Sequence, residues 1–272
     1  METYQNLKGW NASMADFLDI LAKNAKKTIS EGYYTTQNKS KHKPVSLKRS
    51  ILAFNHAAII TEMKRASPTL GVIREKLDVE SAAEKMRNSG SVAISILTEP
   101  KHFMGTLNGF IKVRRKVELP LLMKDIILSR GQIDTASIIG ADVILLIKAL
   151  FDRGYCECDV DDMIEYAHSK SIEVLLETHI EDEFSSALKT KADLVGINNR
   201  DLRTLKVNLN TTHRILQKIN PEQKVVVSES GIKTPTDIQL LHSIGVQGFL
   251  VGTVIMTAKD ISSKIKELVL AK

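Results

Sequence analysis

The sequence predicts an α/β fold, a (β/α)8 TIM barrel carrying an N-terminal helical extension. Three observations lead there. Eight short runs rich in Val, Ile and Leu recur along the chain, at residues 58–61, 92–97, 121–123, 143–147, 174–176, 194–197, 225–227 and 249–251. Most are apolar throughout, as strands buried on both faces of a parallel sheet are. Amphipathic stretches separate the runs, and polar or charged residues close most of them, where a barrel has its mouth. An open doubly wound sheet is the structural alternative, but no G-x-G-x-x-G follows the first run.

The elements follow in order. Residues 1–45 lie outside the repeat and form the extension; residues 46–272 form the barrel, a single catalytic domain. Met14, Phe17, Leu18 and Leu21 make one helical face, with Ser13 and Asp16 as a cap pair. Residues 34–43 are polar and without period. Pro44-Val45-Ser46 opens a second short helix with Leu47, Ile51 and Phe54 on one side. After the first strand, residues 65–74 hold Pro68 and Gly71 and fit a lid. Val79, Ala82, Ala83 and Met86 fall at helical spacing between Asp78, a cap, and Gly90, a stop. Thr234-Pro235-Thr236-Asp237 starts another helix with a cap, a proline at the first position and an acid at the third; Gly245 ends it.

Composition bounds the function. The chain has 272 residues, 43% hydrophobic and 26% charged, enough to bury one barrel core. No stretch approaches the roughly 20 apolar residues of a membrane span. The opening METYQNLKGWNASMADF lacks the layout of a signal peptide. A soluble, cytoplasmic protein is expected, as a monomer or weak homodimer. Cys156 and Cys158 form a C-x-C pair with no second ligand pair, so free thiols and no metal site are expected. The net charge of +6 is concentrated in residues 1–50, which hold nine Lys/Arg against four Asp/Glu. No basic stripe with interleaved aromatics suggests nucleic acid. A positive mouth that attracts an anionic small molecule is the better use of that charge.

The strand ends carry the candidate chemistry. The first run leads into Glu62-Met63-Lys64, whose spacing puts both charges on one side of an extended chain. The third leads into Lys124-Asp125, the fifth into Glu177, and the sixth into Asn198-Asn199-Arg200. The seventh leads into Ser228-Glu229-Ser230-Gly231 and the eighth into Gly252-Thr253. Any one of these is ordinarily a solvated strand end or half of a salt bridge. Together they gather too many charges around one opening to be buried without purpose. The glycines after the last two strands sit where barrels bind phosphate, since Gly lets backbone N–H groups approach an anion.

At this point the residues resemble a family. IITEMKRASPTLG from Ile59, LPLLMKDIIL from Leu119, VGINNRDL from Val195, VVVSESGI from Val225 and FLVGTVIM from Phe249 are similar to the motifs of indole-3-glycerol-phosphate synthases. Leu7-Lys8-Gly9-Trp10 resembles the start of archaeal-type, stand-alone members. The ordered set covers nearly the whole chain. The resemblance implies a cofactor-free, metal-free carboxy-lyase of tryptophan biosynthesis. Its substrate is 1-(2-carboxyphenylamino)-1-deoxyribulose 5-phosphate. Its product is indole-3-glycerol phosphate, formed with loss of CO2 and water.

The resemblance also implies roles. Lys124 is the general acid on the substrate carbonyl, and Glu177 is the base of dehydration. Lys64 is a cation near the phosphate and leaving oxygen, or a second acid. Glu62 and Asn198 fix the polar part of the substrate, and Glu229 orients a lysine. Ser67 and Arg200 contact the anthranilate carboxylate. Ser230, Gly231, Gly252 and Thr253 cradle the phosphate. Phe103, Leu145 and Leu202 line the ring pocket. Ile126 departs from the family, which places Phe after Lys-Asp; an isoleucine fills the pocket but does not stack on a ring.

Two rivals stay open. Another phosphate-binding barrel, such as a phosphoribosylanthranilate isomerase, would share the glycines but needs a Cys/Asp pair at the strand ends, and both cysteines lie past the fourth strand. A non-catalytic anion-binding barrel would have degraded some of Lys64, Lys124, Glu177, Asn198 and Glu229, all of which stand intact.

Overall fold

The computed structural model describes residues 16–37 and 39–271. Leu7–Trp10, Ser13 and Met14 lie outside them. The extension supplies α1 (Phe17–Ser30) and α2 (Leu47–Leu52). Then come β1 (Ala58–Met63), β2 (Ala66–Ser67), β3 (Gly71–Val72), α3 (Val79–Asn88), β4 (Ala93–Leu97), α4 (Leu107–Arg114), β5 (Leu121–Lys124) and α5 (Arg130–Ile139). The second half holds β6 (Val143–Ile147), α6 (Lys148–Asp152), α7 (Val160–Ser169), β7 (Glu173–Thr178), α8 (Glu181–Leu188), β8 (Leu194–Asn198) and α9 (Asn210–Lys218). It closes with β9 (Val225–Glu229), α10 (Pro235–Ser243), β10 (Gly248–Val251), α11 (Thr253–Met256) and α12 (Ile261–Val269).

Eight parallel strands close in the order β1-β10-β9-β8-β7-β6-β5-β4, which settles a barrel over an open sheet. All eight apolar runs are strands. β1, β5, β7, β8 and β9 run one or two residues past the apolar run and take in the polar residues at its end. The loop after β1 holds the small antiparallel pair β2–β3, with Gly71 at a left-handed φ of 65°. The helix signals hold too. Asp78 accepts from Glu80 and Ser81, and Thr234 and Asp237 form a reciprocal capping box with Pro235 at the first turn. α1 is capped by Asp16, which pairs with Asp19 in the same way.

Alternation along the strands divides the core in two. Ile59, Ile94, Met123, Leu146, Val195 and Phe249 face the helices and pack with Phe110 and Phe184. Ile60, Leu122, Leu145, Leu175, Leu194, Val227 and Leu250 face the barrel interior. This parity carries over to the strand ends. Two residues beyond Ile60, Leu122, Leu175, Val227 and Leu250 stand Glu62, Lys124, Glu177, Glu229 and Gly252, so all five belong to the inward set.

The extension touches both ends of the barrel. Phe17, Leu18 and Leu21 of α1 join the interior cluster at the mouth, while Leu47 and Ile51 of α2 join it at the opposite end. Between them the chain is pinned by side chains. Tyr33 donates to the Thr98 carbonyl (3.0 Å) and Tyr34 to Asp125 Oδ1 (2.9 Å). Lower down, buried Asp142 accepts from His42 Nε2 (2.7 Å), the Val45 N–H (2.7 Å), Arg114 (2.8 Å) and the Leu121 N–H (2.8 Å). A buried carboxylate with that many donors fixes the path of the extension along the barrel wall.

Candidate active site

The inward set meets at the C-terminal mouth around Lys124. Its ammonium lies 3.2 Å from Glu177 Oε2 and 3.4 Å from Glu229 Oε2. Burial disfavours that charge, but Glu177, Glu229 and Glu62 outweigh it and hold the ammonium well above the ordinary lysine range. Lys124 is therefore a full cation at neutral pH. The carboxylates decide the direction. Lys64 sits 2.6 Å from Glu62 Oε1, as the two-residue spacing requires. Burial would raise the Glu62 carboxyl, yet Lys64, Lys124 and Arg200 bring it below the ordinary range.

The other two carboxylates diverge. Burial raises Glu177, but Lys124, His179 and the Asn198 amide (3.0 Å to Oε1) reverse that and hold it ionised. Glu229 is equally buried, and neither of its oxygens has an aligned hydrogen bond. Burial dominates there, with Glu177 and Glu62 adding to it against Lys124, and its pKa rises to about 8. Glu177 is thus pushed toward its ionised form and Glu229 toward its protonated form, the separation expected of groups with different acid–base tasks.

Two glycines make room for this cluster. A Cβ at Gly196 would overlap Glu229 Oε1, and one at Gly252 would come 2.5 Å from Glu62 Oε1. Gly252 therefore serves the carboxylate beneath it as well as the open space above. Asn199, buried beside the site, donates to Ser228 Oγ (3.0 Å) and to the Glu229 (2.9 Å) and Ser230 (3.1 Å) carbonyls; its own oxygen accepts from Thr212. It ties the ends of β8 and β9 together.

The mouth has two lobes. Glu62, Lys64, Lys124, Arg200 and Ser230 form the wall common to both. On one side a cavity of about 750 Å³ is lined by Gly231, Lys233, Gly252, Thr253 and Val254, with Leu205 and Val207 across it. Ser230 and Gly231 both take left-handed φ, 66° and 88°. On the other side Phe103, Ile126, Leu145 and Leu202 make an apolar lobe with Ser67, Glu177 and Asn198. Every candidate residue named from the sequence thus lies in or beside one of the two lobes. The sequence reading missed Lys233 in the first lobe, Phe17, Leu18, Leu21 and Ile147 in the second, and His179 beside the cluster, and it named Asn199 at its strand end without a role. The inward parity of β6 was the available signal for Ile147, but α1 reaches the lobe through tertiary packing that no local pattern reports.

Asp125, next to Lys124, borders the apolar lobe and takes its hydrogen-bond partners outside the cluster. It accepts from Thr98 Oγ1 (2.5 Å), Tyr34 and its neighbour Ile126 N–H (2.7 Å). Burial raises it to about 6 against these donors. It locks the end of β5 to the extension, and so fixes the backbone from which Lys124 projects. Glu99 does the same for the loop after β4: its carboxylate accepts the N–H groups of Lys101 (2.9 Å), His102 (2.6 Å) and Phe103 (3.0 Å).

Among the described residues no helix is long and apolar enough to cross a membrane. Solved structures of similar architecture include a thiamine phosphate pyrophosphorylase from Pyrococcus furiosus, with a TM-score of 0.57 at 19% identity over 82% of this chain and 96% of that one. An N-acetylmannosamine-6-phosphate 2-epimerase from Clostridium perfringens has a TM-score of 0.58 at 15% identity, over 79% and 93%. At that identity they speak for the barrel alone. Sequence relatives are much nearer. Indole-3-glycerol phosphate synthases from Caldanaerobacter subterraneus and Methanocaldococcus jannaschii are 41% and 42% identical over 78% of this chain, covering 80% and 77% of their own lengths. That of Bacillus cereus is 36% identical over 92% of this chain and 96% of its own. The family described as indole-3-glycerol phosphate synthase matches residues 17–268, from the first turn of α1 to the last helix, and the chain belongs to that family.

Proposed function

We propose that this chain closes the indole ring of indole-3-glycerol phosphate from 1-(2-carboxyphenylamino)-1-deoxyribulose 5-phosphate, releasing CO2 and water. The observation that carries the reading is Lys124, its ammonium 3.2 Å from Glu177 and 3.4 Å from Glu229, at the junction of an apolar and a glycine-lined lobe. A substrate with an aromatic ring at one end and a phosphate at the other fits such a cavity lengthwise. The extension and the barrel act as one catalytic unit, since α1 lines the ring lobe.

Lys124 donates a proton to the ketone oxygen as the carboxylate-bearing ring carbon attacks the ketone carbon. The carbon–carboxylate bond then breaks, CO2 leaves, and its electron pair restores the ring. The new hydroxyl takes a proton from Lys64 and departs as water while Glu177 takes a proton from the adjacent carbon, forming the last double bond. Lys64 serves the phosphate and the leaving oxygen, Glu62 and Asn198 hold the polar middle, and Glu229 orients Lys124. Ser67 and Arg200 receive the anthranilate carboxylate. Backbone N–H groups of Ser230, Gly231, Gly252 and Thr253 cradle the phosphate, helped by Lys233. The ring packs against Phe103, Ile126, Leu145 and Leu202. Cys156 and Cys158 are free thiols, in keeping with a reducing cytoplasm, where the enzyme works as a monomer or weak homodimer.

Adding the carboxyphenylamino substrate to the purified chain should produce indoleglycerol fluorescence and one CO2 per product. An inert chain would reject the reading. Ile126→Phe should lower KM by about threefold through ring stacking, worth roughly 0.5–1 kcal/mol. Unchanged KM and kcat would show that the ring does not lie against this position.

A further inference from the structure

Glu177 of β7 and His179, the first residue past it, are spaced two apart on the extended chain and their side chains meet. Thr178 between them donates to the Gly196 carbonyl (2.7 Å) and fixes the strand end. The His179 backbone N–H donates to Glu183 Oε2 (2.7 Å), which clamps the turn into α8. The imidazole is nearly buried. Its Nε2 lies 3.2 Å from Glu177 Oε1 and its Nδ1 lies 3.5 Å from Glu183 Oε2. The Nε2 contact is off-line, so it is an ion contact and not an aligned hydrogen bond.

We infer that His179 is a positioning residue of this site: its imidazolium bridges Glu183 and Glu177 and holds the Glu177 carboxylate ionised and aimed into the mouth. The surroundings favour the cation. Glu183 faces one ring nitrogen from α8 and Glu177 the other from β7. Lys124 of β5 acts on the far oxygen of Glu177, and Asn198 of β8 is uncharged. On α6, which packs against β7 and α8, Lys148 is already paired with Asp152. Burial opposes the charge, but the two carboxylates prevail and bring His179 to about 9. Glu177 thus has a cation on each side, Lys124 on Oε2 and His179 on Oε1. Losing either raises the affinity of Glu177 for a proton, and a protonated Glu177 is no longer a base.

The kinetic part rests on the ring-closure reading, so the test has two arms. His179→Gln keeps a hydrogen-bond donor but no charge; His179→Leu keeps neither. In the Gln variant kcat should fall about tenfold with KM within about twofold, as expected for a group acting on a catalytic base. The acid limb of its kcat–pH profile should move up by about one unit as Glu177 loses a cation. The Leu variant should lose more. In the wild type, the imidazole resonance that disappears in His179→Gln should titrate well above the ordinary value of about 6.5. A resonance titrating near the ordinary value, or a wild-type acid limb in His179→Gln, overturns the inference. A wild-type chain inert toward substrate with a raised imidazole rejects the reaction reading and keeps the His179–Glu177 pairing.

Discussion

Lys124→Ala should lower kcat by about a thousandfold, the range of a positioned general acid that also neutralises developing charge. The ketone oxygen becomes an alkoxide as the ring carbon attacks, and among the described residues no other cation has the place of Lys124 beside both Glu177 and Glu229. Its raised pKa does not disqualify it, because an alkoxide is far more basic than an amine. The neighbouring carboxylates keep the proton on the lysine until the alkoxide forms. KM should change by only a few-fold, since Lys64 and Arg200 remain for the anionic ends. The variant also loses the central partner of three buried carboxylates. Removing one member of a buried pair commonly costs about 3–5 kcal/mol. Glu229 softens that loss: already raised to about 8, it takes its proton more firmly once Lys124 is gone and leaves one less bare charge. Single-turnover fluorescence, with a melting curve beside it, separates the two effects. A folded Lys124→Ala enzyme at wild-type turnover would remove Lys124 from the acid role.

Much of this site was legible because chemistry sits at strand ends and strands keep a strict parity. Glu62, Lys124, Glu177 and Glu229 each follow an apolar run, and the barrel turns each one inward. The parity was hidden inside the runs, where both faces are apolar, but the polar residue that closes each run reveals it. Three things were not legible. The place of α1 at the ring lobe depends on the route of residues 34–46, which is set by Tyr34 on Asp125 and His42 on Asp142, contacts about 90 to 100 residues apart in sequence. Gly196 reads as an ordinary small residue in a strand until Glu229 of the next strand is seen lying over it. His179 reads as a turn residue past a strand, and only its burial between two carboxylates marks it. In the first two cases the missing information is a partner from a distant segment; for His179 the carboxylates are near in sequence, and what period and composition do not encode is that the turn into α8 folds the imidazole between them.

Glu177→Gln should lower kcat by about a hundredfold to a thousandfold, as loss of a catalytic base does, and it should fail at a different step from Lys124→Ala. Gln keeps the size of Glu177, and its carbonyl oxygen can still accept from Asn198. It does not accept a proton from carbon. If Glu177 serves dehydration, ring closure and decarboxylation still proceed once in the variant. A first turnover should then release CO2 ahead of indole fluorescence, and the hydroxylated ring should accumulate. Lys124→Ala, blocked earlier, should delay both signals together. The carboxylate cluster gives an independent reading. Glu177 is one of the charges that raise Glu229, so its replacement by a neutral amide should bring Glu229 down from about 8, whereas Lys124→Ala should send it up. Carboxyl titration by isotope-edited infrared or carbon NMR would follow that shift without substrate. Synchronous release of CO2 and indole product in Glu177→Gln would take Glu177 out of the dehydration step. Glu229, two strands farther along the barrel and 3.4 Å from Lys124, would then be the remaining carboxylate placed to act, as a base in the fraction that has lost its proton.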